Sequence, residues 1–407
     1  MTLRFRGRTL RFDLREISGS LGDLATFLPL AVGLIAVNGV GATAIFLSAG
    51  LLYIAGGFYY GIPVPVQPLK ATSAVAIALA ASPGDIAATA LLMGLLFTGI
   101  SLFDLGGFVR KAFPRPVVRG IQLGLGILLA RKGLLLAFGR TPGIAAGSGG
   151  YSLLLAASLG GIALGIILLS RESRRYPAAL VVIALGLLCG VILAPDRIFS
   201  GMTLGWVRPA WGLPLDADWG TVLFLLLLPQ VPLTFANSVV ATADTAACYY
   251  GEEARRVTVR GLSASLGIAN LFAAWAGGMP MCHGSGGVTA HHRFGARTGG
   301  ANLFIGGLFV GMALLLGRSL GSLFSIFPSP VLGILLAYVG VEHARLVRDI
   351  LPIPGETAVA VLIGCLTLAT GNLAIACAAG VVVNLAGSGW MRARTQLPSE
   401  RNFPQIG

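Results

Sequence analysis

Residues 61–73 read GIPVPVQPLKATS, a run in which prolines at 63, 65 and 68 interrupt an apolar chain and a lysine follows at once. A second run of the same character, GGMPMCHGSGGVT at 277–289, carries Pro280 and glycines at 284, 286 and 287. Proline lacks the backbone N–H and disfavours helix in the residue before it, so each run predicts irregular chain from which a helix starts afresh. The first amides of such a helix have no partner inside it. In the first run these are the N–H groups of Lys70, Ala71, Thr72 and Ser73, and in the second those beginning near Ser285.

Around both runs the chain is apolar. Of its 407 residues 55% are hydrophobic and 11% charged, with a mean hydropathy of +0.84, whereas soluble domains carry about 25% charged residues. That balance excludes a soluble globular enzyme and predicts an all-α polytopic membrane protein. At about 20 residues per crossing, apolar runs divided by Gly, Pro and charge place fourteen spans. Seven lie near 17–37, 41–59, 68–82, 84–106, 115–135, 151–170 and 177–194, and seven near 220–248, 258–277, 284–297, 300–317, 328–344, 355–370 and 372–389. Arginines at 4, 6, 8, 11 and 15 alternate with apolar residues, so 1–16 reads as an amphipathic cytoplasmic segment on the inner leaflet, not a signal peptide. Residues 196–218 are expected to form an extracytoplasmic loop and 390–407 a cytoplasmic tail.

With an even number of spans the termini share a side. That side collects 22 Lys and Arg against six on the other (Arg131, Lys132, Arg140, Arg197, Arg208 and Arg318), with Lys70 inside the membrane. The positive-inside rule then makes both termini cytoplasmic, in the inner or plasma membrane of the cell. Basic residues gathered in short loops also account for the net charge of +13 without nucleic acid as a partner. Cys189, Cys248, Cys282, Cys365 and Cys377 stand singly and read as packing residues. His283, His291, His292 and His343 lack metal-ligand spacing, so neither a metal nor a cofactor is expected.

A second pair of matching strings shows that the two broken runs belong to a repeat. FPRPVV at 113–118 matches FPSPVL at 327–332, an offset of 214 residues against 217 between Pro63 and Pro280. The copies are 17–195 and 219–389, and because seven spans, an odd number, separate them, the second faces the opposite way. Inverted halves, each with a Gly/Pro-interrupted helix at the corresponding place, point to the binding site of a secondary transporter. Lipid offers no partner to free backbone groups, so such chain survives at membrane depth only inside protein or beside a watery cavity. Two helix N-termini aimed at one spot there form an anion site, each bringing roughly half a positive charge and free donors. Lys70 opposes the dipole of its own helix and is best tolerated beside an anion; its rival role is a snorkelling or carboxylate-paired lysine.

Four motifs carry a family resemblance: GSLGDLATFLPL (19–30), YGIPVPVQPLKATSAVAI (60–77), PQVPLTFANSVVATAD (229–244) and GGMPMCHGSGGVTAHHRFGARTGG (277–300). With them the chain resembles the molybdate transporters of the sulfate permease superfamily, over nearly its whole length. The resemblance implies a seven-plus-seven inverted fold. A core domain (spans 1–4 and 8–11) and a gate domain (spans 5–7 and 12–14) follow, with a tetrahedral oxyanion held between spans 3 and 10. It also implies a homodimer. Sulfate permeases usually continue into a cytoplasmic STAS domain, whereas this sequence stops at Gly407, which favours the molybdate branch.

Candidate substrate ligands are Gln67, Lys70, Thr72 and Ser73 on the first run and His283, Ser285 and Gly286 on the second. Each offers a donor, as a dianion without protons requires, and carboxylates should stay away. Thr72, Ser73 and Ser285 have a rival role, back-bonding to their own helix; His283 has another, a packed histidine bonded to a carbonyl. Polar residues of span 8 at 230, 234, 238, 242 and 245 keep one helical face and are expected to line the cavity or to pack against neighbours, with Asn237 nearest the substrate. Thr26 of span 1 occupies the matching place. Asp23 and Asp244 are the candidate proton carriers, because an acid at membrane depth is costly unless used or paired; Asp23 could instead cap its helix.

The expected activity is ion-coupled import of molybdate, with no enzymatic reaction, since neither a GxxxxGK[ST] run nor a hydrolase string occurs. Sulfate and tungstate share the charge and shape of molybdate. Bicarbonate and nucleobase carriers share the fold, but a nucleobase ring N–H wants a carboxylate, and neither run contains one.

Overall fold

A computed structural model describes residues 2–5, 8–107, 114–138, 153–170, 178–193, 196 and 203–395. The expected tail is helical as far as Thr395, and 396–407 lie outside the described residues, as do 197–202 of the expected extracytoplasmic loop. The protein is mostly helical. Four short strands correct the all-α expectation.

The N-terminal segment holds two of them. β1 (Thr2–Phe5) pairs antiparallel with β2 (Arg8–Arg11), Leu3 opposite Leu10. Alternating apolar and basic residues have the period of a strand, not of a helix. Leu10 is buried and the Arg11 amide donates to Thr298 Oγ1 at 3.0 Å, so this end packs on the protein.

The helices are α1 (Leu14–Ser20), α2 (Leu24–Ala36), α3 (Ala42–Tyr60), α4 (Lys70–Leu79), α5 (Pro83–Leu102), α6 (Arg115–Ala137), α7 (Leu153–Ser170) and α8 (Ala178–Leu193). There follow α9 (Thr221–Ala254), α10 (Val259–Trp275), α11 (Ser285–Arg293), α12 (Gly300–Ser325), α13 (Ser329–Arg345), α14 (Pro354–Thr370) and α15 (Leu373–Thr395). Their bounds follow local chemistry. Asp13 caps α1 by accepting the amides of Arg15 and Glu16, Ser82 and Asp85 form a capping box with Pro83 at the first turn of α5, and Gly61 ends α3 at φ 74°. Each of the expected spans coincides with one helix, except the first, where α1 and α2 meet in a 49° bend. Among the described residues six helices are long and apolar enough to cross a bilayer alone, and seven if the bent pair counts as one span.

α9 is the least regular. Two stretches, Thr221–Leu227 and Thr234–Val240, are wound as π-helix. Pro229 and Pro232 remove donors from this helix, and the Thr242 hydroxyl bonds the Asn237 carbonyl at 3.0 Å.

Packing runs in antiparallel pairs: α3 on α12, α5 on α10 and α6 on α13, with α14 against α6. Numbered as the expected spans, these pairs are the second with the eleventh, the fourth with the ninth and the fifth with the twelfth. Glycines set their distance. A β-carbon on Gly126 would strike the Gly340 carbonyl and one on Gly133 the Gly333 carbonyl, and the reverse substitutions collide as well. Such small-residue seams let membrane helices approach to backbone contact.

Candidate functional site

The two broken runs meet. β3 (Gln67–Pro68) pairs antiparallel with β4 (Met281–Cys282), Gln67 opposite Cys282 and Pro68 opposite Met281, and the Leu69 amide extends the pairing to the Pro280 carbonyl at 3.0 Å. Since the strands are antiparallel, the chain leaves them in opposite directions, and α4 and α11 turn their N-termini toward the same small ladder.

Irregular buried backbone has to be satisfied by side chains, and four residues do so here. Asn270 clamps Met281 through its amide and carbonyl, at 2.8 Å each. Asn302 donates to the Val64 carbonyl at 2.7 Å and the Tyr53 hydroxyl to the Val66 carbonyl at 3.2 Å. The fourth is His283. Its Nδ1 lies 2.7 Å from the Pro65 carbonyl, an acceptor only, so Nδ1 carries the proton; Nε2 is 2.8 Å from the Ser265 hydroxyl, which also meets the Tyr60 hydroxyl at 2.7 Å. Both ring nitrogens are engaged and the ring is buried. His283 is thus no substrate donor in this structure but a brace between the two runs, a correction to the expectation.

The two helix starts are unequal. At α4, the side-chain carbonyl of Gln230 accepts the amides of Ala71 and Thr72 at 2.8 and 3.0 Å, and the Ser73 amide bonds the Leu69 carbonyl at 2.8 Å. Three of the four amides expected to be open are therefore occupied. The Thr72 hydroxyl donates to the Leu226 carbonyl at 2.9 Å, and the Ser73 hydroxyl is buried without a partner among the described residues. What α4 presents is Lys70, half-buried, its ammonium unpaired within salt-bridge distance among the described residues and within electrostatic reach of Asp23 and Cys282.

At α11 the amides of Ser285 and Gly286 meet no acceptor among the described residues, while those of Gly287 and Val288 bond the Gly284 carbonyl. Gly286 is exposed, and a β-carbon there would meet nothing within 4 Å. The Ser285 hydroxyl donates to Asn237 Oδ1 at 2.9 Å, which ties α9 to this end. Asn237 thus lies next to this helix start, and Gln230, Thr234, Ser238 and Thr242 of the same stripe are all buried. Through Gln230 and Asn237, α9 contacts both broken runs.

A carboxylate also reaches the site, against expectation. Asp23, 2% exposed at the bend before α2, accepts the side-chain amide of Gln67 on both oxygens, at 2.7 and 2.9 Å, with the Thr26 hydroxyl beside it. Asp244 differs in being exposed on α9.

Sequence reasoning missed Asn270, Asn302 and Tyr53, and two further supporting residues. Gln230 figured only as part of a polar stripe, yet it caps α4. Glu16, which the sequence reading passed over, is 2% exposed and accepts the amides of Arg297 and Thr298 at 2.9–3.1 Å, fixing the turn between α11 and α12.

Comparison with known proteins agrees with this architecture. A profile of the family described as "Molybdate transporter of MFS superfamily" matches residues 15–129 and 223–342, more than half of the chain. Molybdate transporter 2 of Arabidopsis thaliana is 33% identical over 389 residues, spanning 82% of this chain and 79% of that protein. Molybdate transporter 1 of the same plant is 30% identical over 438 residues, spanning 98% and 92%. Among solved structures, the transmembrane domain of a cyanobacterium bicarbonate transporter, BicA, superposes with a TM-score of 0.66 at 18% identity, covering 94% of this chain and 98% of that one. This last likeness is one of fold.

Proposed function

The chain belongs to the molybdate transporter family, with the fold of the sulfate permease superfamily, and on that premise we propose that it imports a tetrahedral oxyanion, molybdate, by secondary active transport. On this reading the substrate binds between the Lys70 ammonium and the open amides of Ser285 and Gly286, with Asn237 and Thr26 at the rim. The carrying observation is the pair of amides at Ser285 and Gly286 that meet no acceptor among the described residues. N–H groups at a helix start, in a partly dry site, are what a dianion seeks.

Asp23 gives the coupling. A charged carboxylate on Gln67 repels a dianion; a protonated one does not. Protonation turns Asp23 from acceptor into donor, and Gln67 Oε1, buried without a partner among the described residues, is there to receive that hydrogen bond. Proton and oxyanion then enter together. The helices bearing the ladder carry the site past α6–α8 and α13–α15, with both termini cytoplasmic and the protein a dimer in the cell membrane.

The test is uptake into proteoliposomes, with molybdate and sulfate in competition and the pH gradient imposed or collapsed. Saturable molybdate uptake driven by an inward proton gradient is expected. Uptake indifferent to the gradient overturns the coupling, and no oxyanion uptake overturns the substrate.

A further inference from the structure

A second cavity lies at the other end of α3, near its N-terminus. Its volume is about 630 Å³, and its walls include Thr43, Pro83, Arg208, Gly277, Arg318 and the turn at Gly41. The segment 203–219 is strapped across this end. The Gly205 amide bonds the Leu315 carbonyl at 2.9 Å, the Gly205 carbonyl accepts the Arg318 amide at 3.1 Å, Thr203 and Ser319 exchange hydrogen bonds, and the Trp211 and Trp275 rings meet at a 44° tilt with centroids 4.4 Å apart. Arg208 on the strap and Arg318 on α12 are thereby brought to one pocket.

Three observations give the pocket a charge preference. Both arginines are exposed, and neither has a carboxylate within salt-bridge distance among the described residues. Two acids at this end are committed elsewhere, Asp85 accepting the amides of Ser82 and Asp218, and Asp218 those of Gly220 and Thr221, while Asp216 on the strap makes no ion pair with either arginine among the described residues. The first amides of α3, those of Ala42, Thr43 and Ala44, lack acceptors among the described residues, and no side chain caps this 19-residue helix. Independently of these, Thr43 is 3% exposed, lines the pocket, and its hydroxyl has no partner among the described residues. The floor at Gly277 begins the second broken run, four residues before β4.

We propose that this pocket is a second binding site for a small tetrahedral dianion, held by Arg208, Arg318, the Thr43 hydroxyl and the N-terminus of α3, where substrate collects before it enters the transport site. By the charge balance of the sequence this is the extracytoplasmic end. The entry role rests on the transport reading above; the site itself does not. Two guanidiniums and a helix start raise the local concentration of dianion, an effect that salt screens.

Equilibrium binding of radiolabelled molybdate to the purified full chain separates the two. Two classes of site are expected in detergent and in nanodiscs; K70Q removes one, and R208Q/R318Q removes the other while R208K/R318K retains it. In proteoliposomes R208Q/R318Q should raise the KM for external molybdate by about tenfold at low salt and leave the maximal rate unchanged. If the double Gln variant keeps both classes of site, or if the Arg-dependent class vanishes only in anionic-phospholipid nanodiscs, the pocket is no oxyanion site and the proposal fails. Two sites without transport would overturn the function and leave this site standing.

Discussion

Gln67 gives its side-chain amide to both oxygens of the Asp23 carboxylate, at 2.7 and 2.9 Å, so an acid from the bend before α2 is held by a residue of the ladder that separates the two helix starts. Asp23→Asn keeps the size of the group and removes its titration. The variant is expected to exchange molybdate across the membrane while losing at least about tenfold of the uptake driven by a proton gradient. Counterflow and gradient-driven uptake, measured on the same vesicles, would show whether the two separate.

Lys70 and His283 should respond differently to substitution. Lys70→Gln removes an ammonium from the proposed site and should raise the KM for molybdate by about tenfold or more. His283→Ala leaves the Pro65 carbonyl without its donor and is expected to lower folded yield and thermal midpoint while the KM of the surviving protein stays near that of the parent. A parent-like midpoint with a raised KM would put His283 back among the substrate ligands.

Gln230→Leu deprives the amides of Ala71 and Thr72 of their acceptor. Each buried orphan costs about 1–3 kcal/mol, so unfolding in detergent should begin at markedly lower temperature. Gln230→Glu retains an acceptor but adds negative charge to the start of α4, and weaker molybdate binding with near-parental stability is expected.

The seam between α6 and α13 gives a packing test. Gly133→Leu drives a side chain into the Gly333 carbonyl, an overpacking that costs about 1–3 kcal/mol or more. Gly161→Leu on α7, where an added β-carbon meets nothing within 4 Å, should be tolerated. Expression level and monodispersity on gel filtration compare the two directly.

Helix positions could be read from the sequence because proline and glycine punctuate it: Pro83 opens α5, Gly61 closes α3, and Pro63, Pro65, Pro68 and Pro280 mark the irregular runs. The meeting of those runs was legible too, since each alone would bury unpaired backbone. Their partners were not. Gln230 lies 159 residues from Ala71, and no local pattern records that a side chain so far along the chain will occupy two amides. Asp23 stood as a candidate proton carrier or a helix cap, and its pairing with Gln67, 44 residues along the chain, left no local pattern either. The stripe on α9 was drawn at the α-helical period, which its π-wound turns do not keep, and the alternation of the N-terminal arginines with apolar residues was read as an amphipathic surface segment when its period of two is that of a strand.

The ladder joining Gln67–Pro68 to Met281–Cys282 has a further consequence for how the protein is assembled. During synthesis the first run emerges more than two hundred residues before the strand that completes it. Until then its carbonyls at Val64 and Pro65 await Asn302 and His283, while that of Val66 can already meet Tyr53. A nascent chain halted after α8 would hold an unfinished pocket, and fragments split between α8 and α9 should bind molybdate only when co-expressed.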